Sequence, residues 1–163
     1  MRHRRVRLTY LITDLNVGGV PLHLYRLVTG LPANRFDIHV ISLADIGPVG
    51  RRLRDEGFRV SACGARCPYD LIALARLGWL LWRGSPDILH ALLFHANIAA
   101  RISGPIAGIP IRRIICEIQT AERERLWHLT VDKLTCRLCR LEVGNSLSVI
   151  GHLNERARIP ATR

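Results

Sequence analysis

The 163-residue sequence has no apolar run long enough to cross a membrane. Its most apolar stretch, Leu71–Trp82, is 12 residues long and contains Arg76, whereas a spanning helix needs about 18 residues or more. The start of the chain is basic and then apolar, but Thr9, Thr13 and Asp14 interrupt the apolar part, so it does not predict a secretory signal. These absences favour a cytoplasmic protein, with peripheral contact at the inner face of a membrane as a further option.

Lysine is nearly absent, with Lys133 as the single example, so arginine supplies almost all of a formal net charge of +11. A basic surface attracts nucleic acid, anionic lipid or phosphorylated ligands. The arginine content could equally reflect the base composition of the genome, or an acidic remainder of a longer protein could balance it. Aromatic residues make up only 6% and are not interleaved with arginines as a stacking platform requires, so nucleic acid is not an expected partner.

Cysteine occurs five times, and an odd number without a secretory signal indicates reduced thiols. Cys63 and Cys67 together with Cys136 and Cys139 have a spacing that a zinc site could use. The second pair, however, lies three residues apart on one face of a predicted helix, which favours buried and unreactive cysteines. We therefore expect no metal and no cofactor.

Several nucleotide-binding and hydrolytic motifs are also missing. The first strand–helix connection has no Gly-x-Gly-x-x-Gly pattern, which argues against a nicotinamide dinucleotide site. A Gly-x4-Gly-Lys-Ser/Thr phosphate loop is absent as well. There is no Ser–His–Asp spacing and no close pair of acidic residues, so the sequence does not predict a hydrolase.

What the sequence does contain is a regular alternation of short apolar strands and helical segments, about six times over. This alternation predicts an α/β fold with a doubly wound, mostly parallel sheet, Rossmann-like, in three α/β/α layers. No linker divides the chain, so residues 1–163 are expected to form one domain. The predicted strands are Leu8–Thr13, Phe36–Leu43, Arg59–Ala62, Asp87–Ala91, Arg112–Glu117 and Leu141–Val143, and the predicted helices are Pro21–Gly30, Val49–Glu56, Leu71–Arg83, His95–Gly104, Ala121–Arg140 and Ser146–Glu155.

Capping and periodicity give further detail for two of these helices. Asp70 is expected to cap the third helix, because its carboxylate can accept the free N–H groups of the first turn. The spacing of apolar residues places Leu71, Leu77 and Leu81 on the inner face of that helix, and Leu134 on the inner face of the fifth.

Two adjacent glycines, Gly18 and Gly19, connect the first strand to the first helix. Glycine permits positive φ and close backbone approach, and the free N–H groups of a first helical turn suit an anion such as phosphate. Pro21 lies near that turn, where its lack of an N–H group removes no hydrogen bond of the helix. A plain tight turn is the alternative, but the position between strand and helix favours a phosphate site.

Polar residues follow the fourth and fifth strands. In doubly wound sheets, ligands bind beyond the carboxyl ends of the strands. His95 and Asn97 come just after the fourth strand and are predicted to contact a ligand, whereas His90, inside that strand, is interpreted as a core histidine. Glu117 and Gln119, which end the fifth strand, have side chains suited to binding sugar hydroxyls.

The order of these segments resembles the family 4 glycosyltransferases, whose GT-B fold consists of two Rossmann-like domains. The likeness begins at Asp14–Gly19 with the helix after it, and continues through Pro86–His90, Phe94–Asn97, Gly108–Pro110 and Val143–Ser146. It covers nearly the whole chain and corresponds to the N-terminal, acceptor-side domain of the family. The resemblance implies an enzyme that moves a sugar from a nucleotide-diphosphate donor to an acceptor hydroxyl on a sugar or a lipid-linked molecule.

The resemblance also implies roles for individual residues. Gly18 and Gly19 would approach the donor diphosphate, and His95 is predicted to be the catalytic residue. The acceptor is expected to contact five residues, which are Asn16, His23, Asn97, Glu117 and Gln119.

The sequence departs from the family pattern at two positions. Pro21 stands where the family often has glutamate, and Leu92 replaces the second histidine of a His-x-His at the end of the fourth strand. The sequence also ends near Ile159 and Pro160, where the family enters its donor-binding domain, so we expect the chain to be inactive alone and to need a C-terminal domain, which a separate chain could supply. The alternative function is a non-catalytic basic module that binds anionic lipid or a partner chain.

Overall fold

The computed structural model describes residues 4–67, 70–118 and 126–144. Within these ranges, strands alternate with helices in the predicted order. The strands are β1 (Val6–Ile12), β2 (Phe36–Ser42), β3 (Arg59–Ala62), β4 (Ile88–Leu92), β5 (Ile114–Ile118) and β6 (Leu141–Gly144), and the helices are α1 (Gly19–Gly30), α2 (Gly47–Asp55), α3 (Leu71–Gly84), α4 (Phe94–Ile106) and α5 (Leu126–Thr135).

All neighbouring strands of the sheet are parallel, and their order is β3-β2-β1-β4-β5-β6. The chain moves outward from β1 through β2 to β3 and then crosses back to β4, on the other side of β1. The strand order therefore reverses between β1 and β4, and at such a switch point the connections diverge and leave a crevice at the carboxyl edge. The predicted doubly wound, Rossmann-like sheet is confirmed.

The sheet separates two apolar layers, because successive strand residues point to opposite faces. On one face, Tyr10 belongs to a core cluster with residues of α1 and α2. On the other face, Leu11 belongs to a cluster with residues of α3 and α4. The three-layer α/β/α arrangement is thus confirmed, and α1 and α4, which follow the two central strands, lie on opposite faces of the sheet.

Helix α3 begins where the sequence predicts. The carboxylate of Asp70 accepts hydrogen bonds from the N–H groups of Ile72 and Ala73, at 3.1 Å each. The buried residues of α3 are spaced four apart: Ala73, Leu77 and Leu81. The prediction that Leu71 faces inward is wrong, since its side chain is 77% exposed. Two positions along an α-helix turn a side chain to the opposite side, so a buried stripe that starts at Ala73 leaves Leu71 in solvent.

Helix α5 ends earlier than predicted. It stops at Thr135, and a 3₁₀ turn over Cys136–Leu138 precedes β6, whereas the sequence predicts a helix as far as Arg140. Leu134, predicted to face inward, is 75% exposed. The hydroxyl of Thr135 accepts a hydrogen bond from Arg101 Nη1 at 2.8 Å, which ties the end of α5 to α4. The predicted helical residues 121–125 and the predicted closing helix lie outside the described residues.

A buried ionic cluster joins α4, α5 and β6. Arg101 of α4 is fully buried, and its guanidinium contacts the carboxylates of Asp132, at 2.7 Å, and of Glu142. Burial raises the pKa of Asp132, while the nearby guanidinium opposes that rise. Since charges in a protein interior require partners, this cluster fixes α5 and β6 to the rest of the fold.

Three of the five free cysteines are buried, as expected: Cys63, Cys116 and Cys139. Cys67 is exposed and Cys136 is only partly buried, so the expectation of burial is wrong for these two residues. Within the described ranges, no three His, Cys, Asp or Glu side chains are grouped so that they could hold a metal ion. None of the described helices combines the length and apolar character needed to cross a bilayer.

Candidate active site

The loop after β1 and the start of α1 form an open corner at the carboxyl edge of the sheet. Gly18 precedes the helix with an extended backbone (φ −175°), and no side chain caps this helix end. A methyl group at Gly19 would meet no atom within 4 Å, and one at Gly18 would meet only Cδ of Pro21, at 3.6 Å. Side chains of the described residues therefore do not fill the corner, and a ligand can approach its backbone.

The N–H groups at this corner are suited to an anion. Gly19 and Val20 lie in the first turn of α1, where the helix offers their N–H groups no carbonyl partner, and Pro21 has no N–H. The positive end of the helix dipole points to the same place. Neither Gly18 nor Gly19 uses the positive φ that glycine permits. Because these two glycines have no side chains, they leave space for a ligand next to the backbone.

The loop that carries Asn16 is held by one side-chain and one backbone hydrogen bond. The N–H of Asn16 donates to Oδ1 of Asp14 at 3.0 Å, and the carbonyl of Leu15 accepts from the N–H of Val49 at 3.1 Å. Gly47 (φ 59°) packs so closely against this loop that a Cβ there would lie 2.4 Å from the carbonyl oxygen of Leu15. Asn16 itself is exposed beside the open corner.

Next to the corner, a buried carboxylate lies between two imidazoles. Oε2 of Glu117 on β5 is 3.1 Å from Nε2 of His90 on β4, a close contact without hydrogen-bond alignment. Oε1 of Glu117 is 3.7 Å from Nε2 of His23 on α1. His23 follows Gly19 by one helical turn, so both lie on the same side of α1. The side chain of His23 is 47% exposed and that of Glu117 only 7%, so solvent reaches this cluster from the α1 side.

Tyr10 and His90 belong to this cluster but are not among the predicted site residues. They are paired across β1 and β4, with ring centroids 5.3 Å apart. Burial, and then the negative charge of Glu117, raise the pKa of Tyr10 to about 12, so its hydroxyl stays protonated at neutral pH. The signal for His90 lies in the strand register, since Leu92 pairs with Glu117 and alternation then places His90 on the same face.

The backbone of Glu117 is held from the opposite side. The fully buried side-chain amide of Asn97 donates to the carbonyl of Glu117 at 3.1 Å, and the N–H of Leu93 reaches the same carbonyl at 3.3 Å. Leu93 has φ 77° and ψ 153°, a conformation that is essentially restricted to glycine and is tolerated where the surroundings enforce it. As placed here, Asn97 fixes the end of β5 against α4 and does not present its amide to the open side.

His95 lies in the first turn of α4, on the face of the sheet opposite α1. Its ring is edge-on to Phe94 at 5.3 Å and to His128 of α5 at 5.9 Å. Burial lowers the pKa of His95, so its imidazole is largely neutral at pH 7 and can accept a proton. The structure thus places His95 near the carboxyl edge but across the sheet from the Glu117 carboxylate. Gln119 lies outside the described residues.

Comparison with known proteins identifies the family to which this domain is similar. Residues 18–140 match the model of the glycosyl transferase 4-like domain family. Crystal structures of Anabaena Alr3699/HepE have TM-scores of 0.79 in complex with UDP-glucose and 0.76 in complex with UDP, each at 18% identity, and the matches cover 96–97% of this chain and 42% of that one. The structure of a Thermobaculum terrenum O-GlcNAc transferase mutant has a TM-score of 0.52 at 21% identity, covering 71% of this chain and 21% of that one. A search of curated proteins found no match.

These matches differ in what they establish. The family match extends over most of the chain, from the open corner to the turn before β6. The structural matches, at such low identity, establish the fold, and the chain spans less than half the length of the HepE structures.

Proposed function

The chain belongs to the glycosyl transferase 4-like family, and from that premise we propose that it forms the acceptor-side domain of an enzyme that transfers a sugar from a nucleotide-diphosphate donor to a hydroxyl group. The observation that carries the proposal is the position of the open first turn of α1 beside the Glu117 carboxylate, at the switch point of the sheet. The reaction needs an anion site and a hydroxyl-binding group side by side, and this edge offers both. The shared fold of HepE, crystallised with UDP-glucose, supports a nucleotide-sugar donor.

The leaving diphosphate binds at the corner in this proposal. When the bond between the anomeric carbon and the diphosphate oxygen breaks, negative charge accumulates on that oxygen. The N–H groups of Gly19 and Val20, together with the helix dipole, stabilise the charge, and one such donor typically contributes about 10²–10³-fold in rate. A second Rossmann-like domain, on the same or a separate polypeptide, supplies the remaining donor contacts. The 163 residues by themselves are expected to turn over no donor.

The acceptor binds on the α1 side of the sheet. The Glu117 carboxylate accepts a hydrogen bond from an acceptor hydroxyl, and the half-exposed His23 forms the outer wall of this subsite. His90 holds the carboxylate from within, and Asn97 holds its backbone from the other face. Asn16, exposed on the neighbouring loop, contacts a second hydroxyl. The acceptor is therefore a polyhydroxylated molecule, a sugar or a lipid-linked sugar.

Two histidines compete for the proton that the acceptor hydroxyl loses. We assign it to His95, which lies at the carboxyl edge on the α4 face and would take the proton from a second acceptor hydroxyl that extends past the strand ends, not from the hydroxyl bound by Glu117. The lowered pKa of His95 keeps its imidazole neutral and able to accept that proton. With His95 as the base, His95→Asn lowers kcat and leaves the acceptor KM nearly unchanged, while His23→Asn mainly raises that KM. The opposite split of the two kinetic constants would transfer the role of base to His23. Gln119 stays a predicted acceptor contact, for which Gln119→Ala raises KM.

The donor role of the corner is tested with a matched pair of glycine variants in the complete enzyme. Gly19→Val places two methyl groups where the diphosphate binds, and we expect kcat/KM to fall at least about 100-fold. Gly30→Val is the control, because Gly30 ends the same helix and also has open space around its Cβ position. Neither glycine has positive φ, so both variants should keep the melting temperature within a few degrees. Full activity of a folded Gly19→Val enzyme would remove the diphosphate role.

A further inference from the structure

Helix α3 exposes an apolar stripe that the proposed function does not use. Four large side chains on it are exposed: Leu71 by 77%, Ile72 by 68%, Trp79 by 53% and Trp82 by 68%. Two lie in the first turn and two near the end of the helix, on the side opposite its buried residues, with the exposed Ala75 between the two pairs. The stripe therefore runs along most of the length of α3, from its first turn to its last.

The neighbouring helix α4 also exposes large apolar side chains. Helices α3 and α4 pack side by side on the same face of the sheet. Ile102 of α4 is 48% exposed and Ile106 is 80% exposed. Soluble monomers rarely expose several large apolar side chains on adjacent elements unless the surface binds something. We call the six exposed residues of α3 and α4 the apolar face.

The charged side chains within α3 and α4 are all arginines. Neither α3 nor α4 contains an aspartate or glutamate. The guanidinium of Arg83 lies over the ring of Trp79, 5.4 Å from its centroid. The acidic residues at the two ends of α3 are both engaged: Asp70 caps the helix, and Asp87 pairs with Arg4 at 3.0 Å. The rim therefore presents arginine to whatever covers the apolar face.

We propose that this face docks on the surface of a membrane that contains anionic lipid. Tryptophan and arginine together suit the boundary between headgroups and acyl chains, because the indole rings are amphipathic and the guanidinium binds phosphate. The net charge of +11 adds a long-range attraction to such a surface. A second copy of the chain is a poorer partner, because its α3 and α4 would bring no acidic residue to Arg83. The proposal is independent of the sugar-transfer function.

The test is binding of the whole chain to vesicles of phosphatidylcholine, alone or mixed with phosphatidylglycerol, measured by co-sedimentation and tryptophan emission. In a Trp127→Phe background the emission comes from Trp79 and Trp82 alone. We expect binding to the mixed vesicles with a blue shift of the emission, and much weaker binding to the neutral ones. The double variant Trp79→Ser, Trp82→Ser should bind the mixed vesicles at least about tenfold more weakly.

Two variants on the opposite layer, Arg51→Gln on α2 and Leu22→Ser on α1, serve as the charge and apolar controls. Arg83→Gln should weaken binding to the mixed vesicles about fivefold, whereas both controls should change it little. Three results would overturn the proposal: no binding at low ionic strength, equal losses for Arg83→Gln and Arg51→Gln, or a tryptophan-dependent dimer in sedimentation velocity without lipid. The last result would assign the face to a second copy.

Discussion

Replacing Arg101 with methionine tests how much the buried ionic cluster contributes to the fold. The substitution keeps most of the side-chain volume but removes the guanidinium that faces the Asp132 and Glu142 carboxylates. Asp132 is fully buried, so it cannot turn to water when its partner is lost. Removing one partner from such a cluster typically costs about 3–5 kcal/mol of unfolding free energy. For a chain of this length, that corresponds to a fall in Tm of about 10 °C.

The stability lost in the Arg101→Met variant should change with pH in a direction that the structure predicts. Burial already raises the pKa of Asp132, and removing Arg101 takes away the group that opposes the rise. A carboxyl group whose pKa is higher in the folded chain than in the unfolded chain destabilises the fold at pH values above its folded pKa, because it is charged there. This destabilisation disappears as the pH falls and the group becomes protonated. The deficit of Arg101→Met should therefore be largest at neutral and alkaline pH and shrink as the pH falls toward the normal aspartate range.

The assay is urea unfolding followed by circular dichroism across that pH range. Arg51→Met, on the exposed surface of α2, is the control and should change stability by less than about 0.5 kcal/mol. The triple variant that also carries Asp132→Leu and Glu142→Met should recover most of the loss, because an apolar replacement of the whole cluster leaves no buried charge. A loss below about 1 kcal/mol for Arg101→Met, or a deficit that grows on acidification, would refute this account.

Three further predictions concern the frame around the site. Gly47→Ala should cost about 2–4 kcal/mol in urea unfolding, because its Cβ would lie 2.4 Å from a carbonyl oxygen, whereas Gly57→Ala, with φ 87° but open space, should cost only about 1–2 kcal/mol; equal costs would contradict the clash. Burial lowers the pKa of His39 to about 4, so stability should fall by about 3 kcal/mol as the pH drops from 6.5 toward 4, and His39→Gln should flatten that slope. Gly104→Ala should cost about 1–2 kcal/mol, because its Cβ would lie 2.8 Å from Cδ1 of Ile114, and Ile114→Val should relieve part of that cost in a double-mutant cycle; simple additivity would count against the contact.

The sequence predicts the fold well because its elements are short and sharply bounded. Alternating apolar strands and helices separated by glycine and proline specify a doubly wound parallel sheet, and the cap at Asp70 marks the start of α3. The end of α5 is not predictable in this way. Its sequence is compatible with a longer helix, but a long-range contact between Thr135 and Arg101 holds it where it stops. Local propensity carries no information about a partner more than thirty residues away.

The candidate site is predictable in its location and only partly in its members. The Gly18–Gly19 corner and Glu117 follow from the rule that ligands bind at the carboxyl edge. His90 does not, because a histidine inside a strand has the same local pattern whether it packs in a core or faces a carboxylate on the next strand. For Asn97 the sequence is misleading in the other direction. Its polar side chain predicts contact with a ligand, whereas in the structure its amide donates a hydrogen bond to the carbonyl of Glu117.

The double attachment of Glu117 has a mechanical consequence. Its carboxylate lies close to His23 of α1, on the side where the acceptor would bind. Its backbone carbonyl accepts hydrogen bonds from Leu93 and Asn97 at the start of α4. One residue thus links the two helical layers, through its side chain on one face of the sheet and its backbone carbonyl on the other. We therefore expect a hydroxyl that binds the carboxylate to alter the position of the first turn of α4, which carries His95, and a chemical-shift change at His95 on acceptor binding to the α1 side would report it.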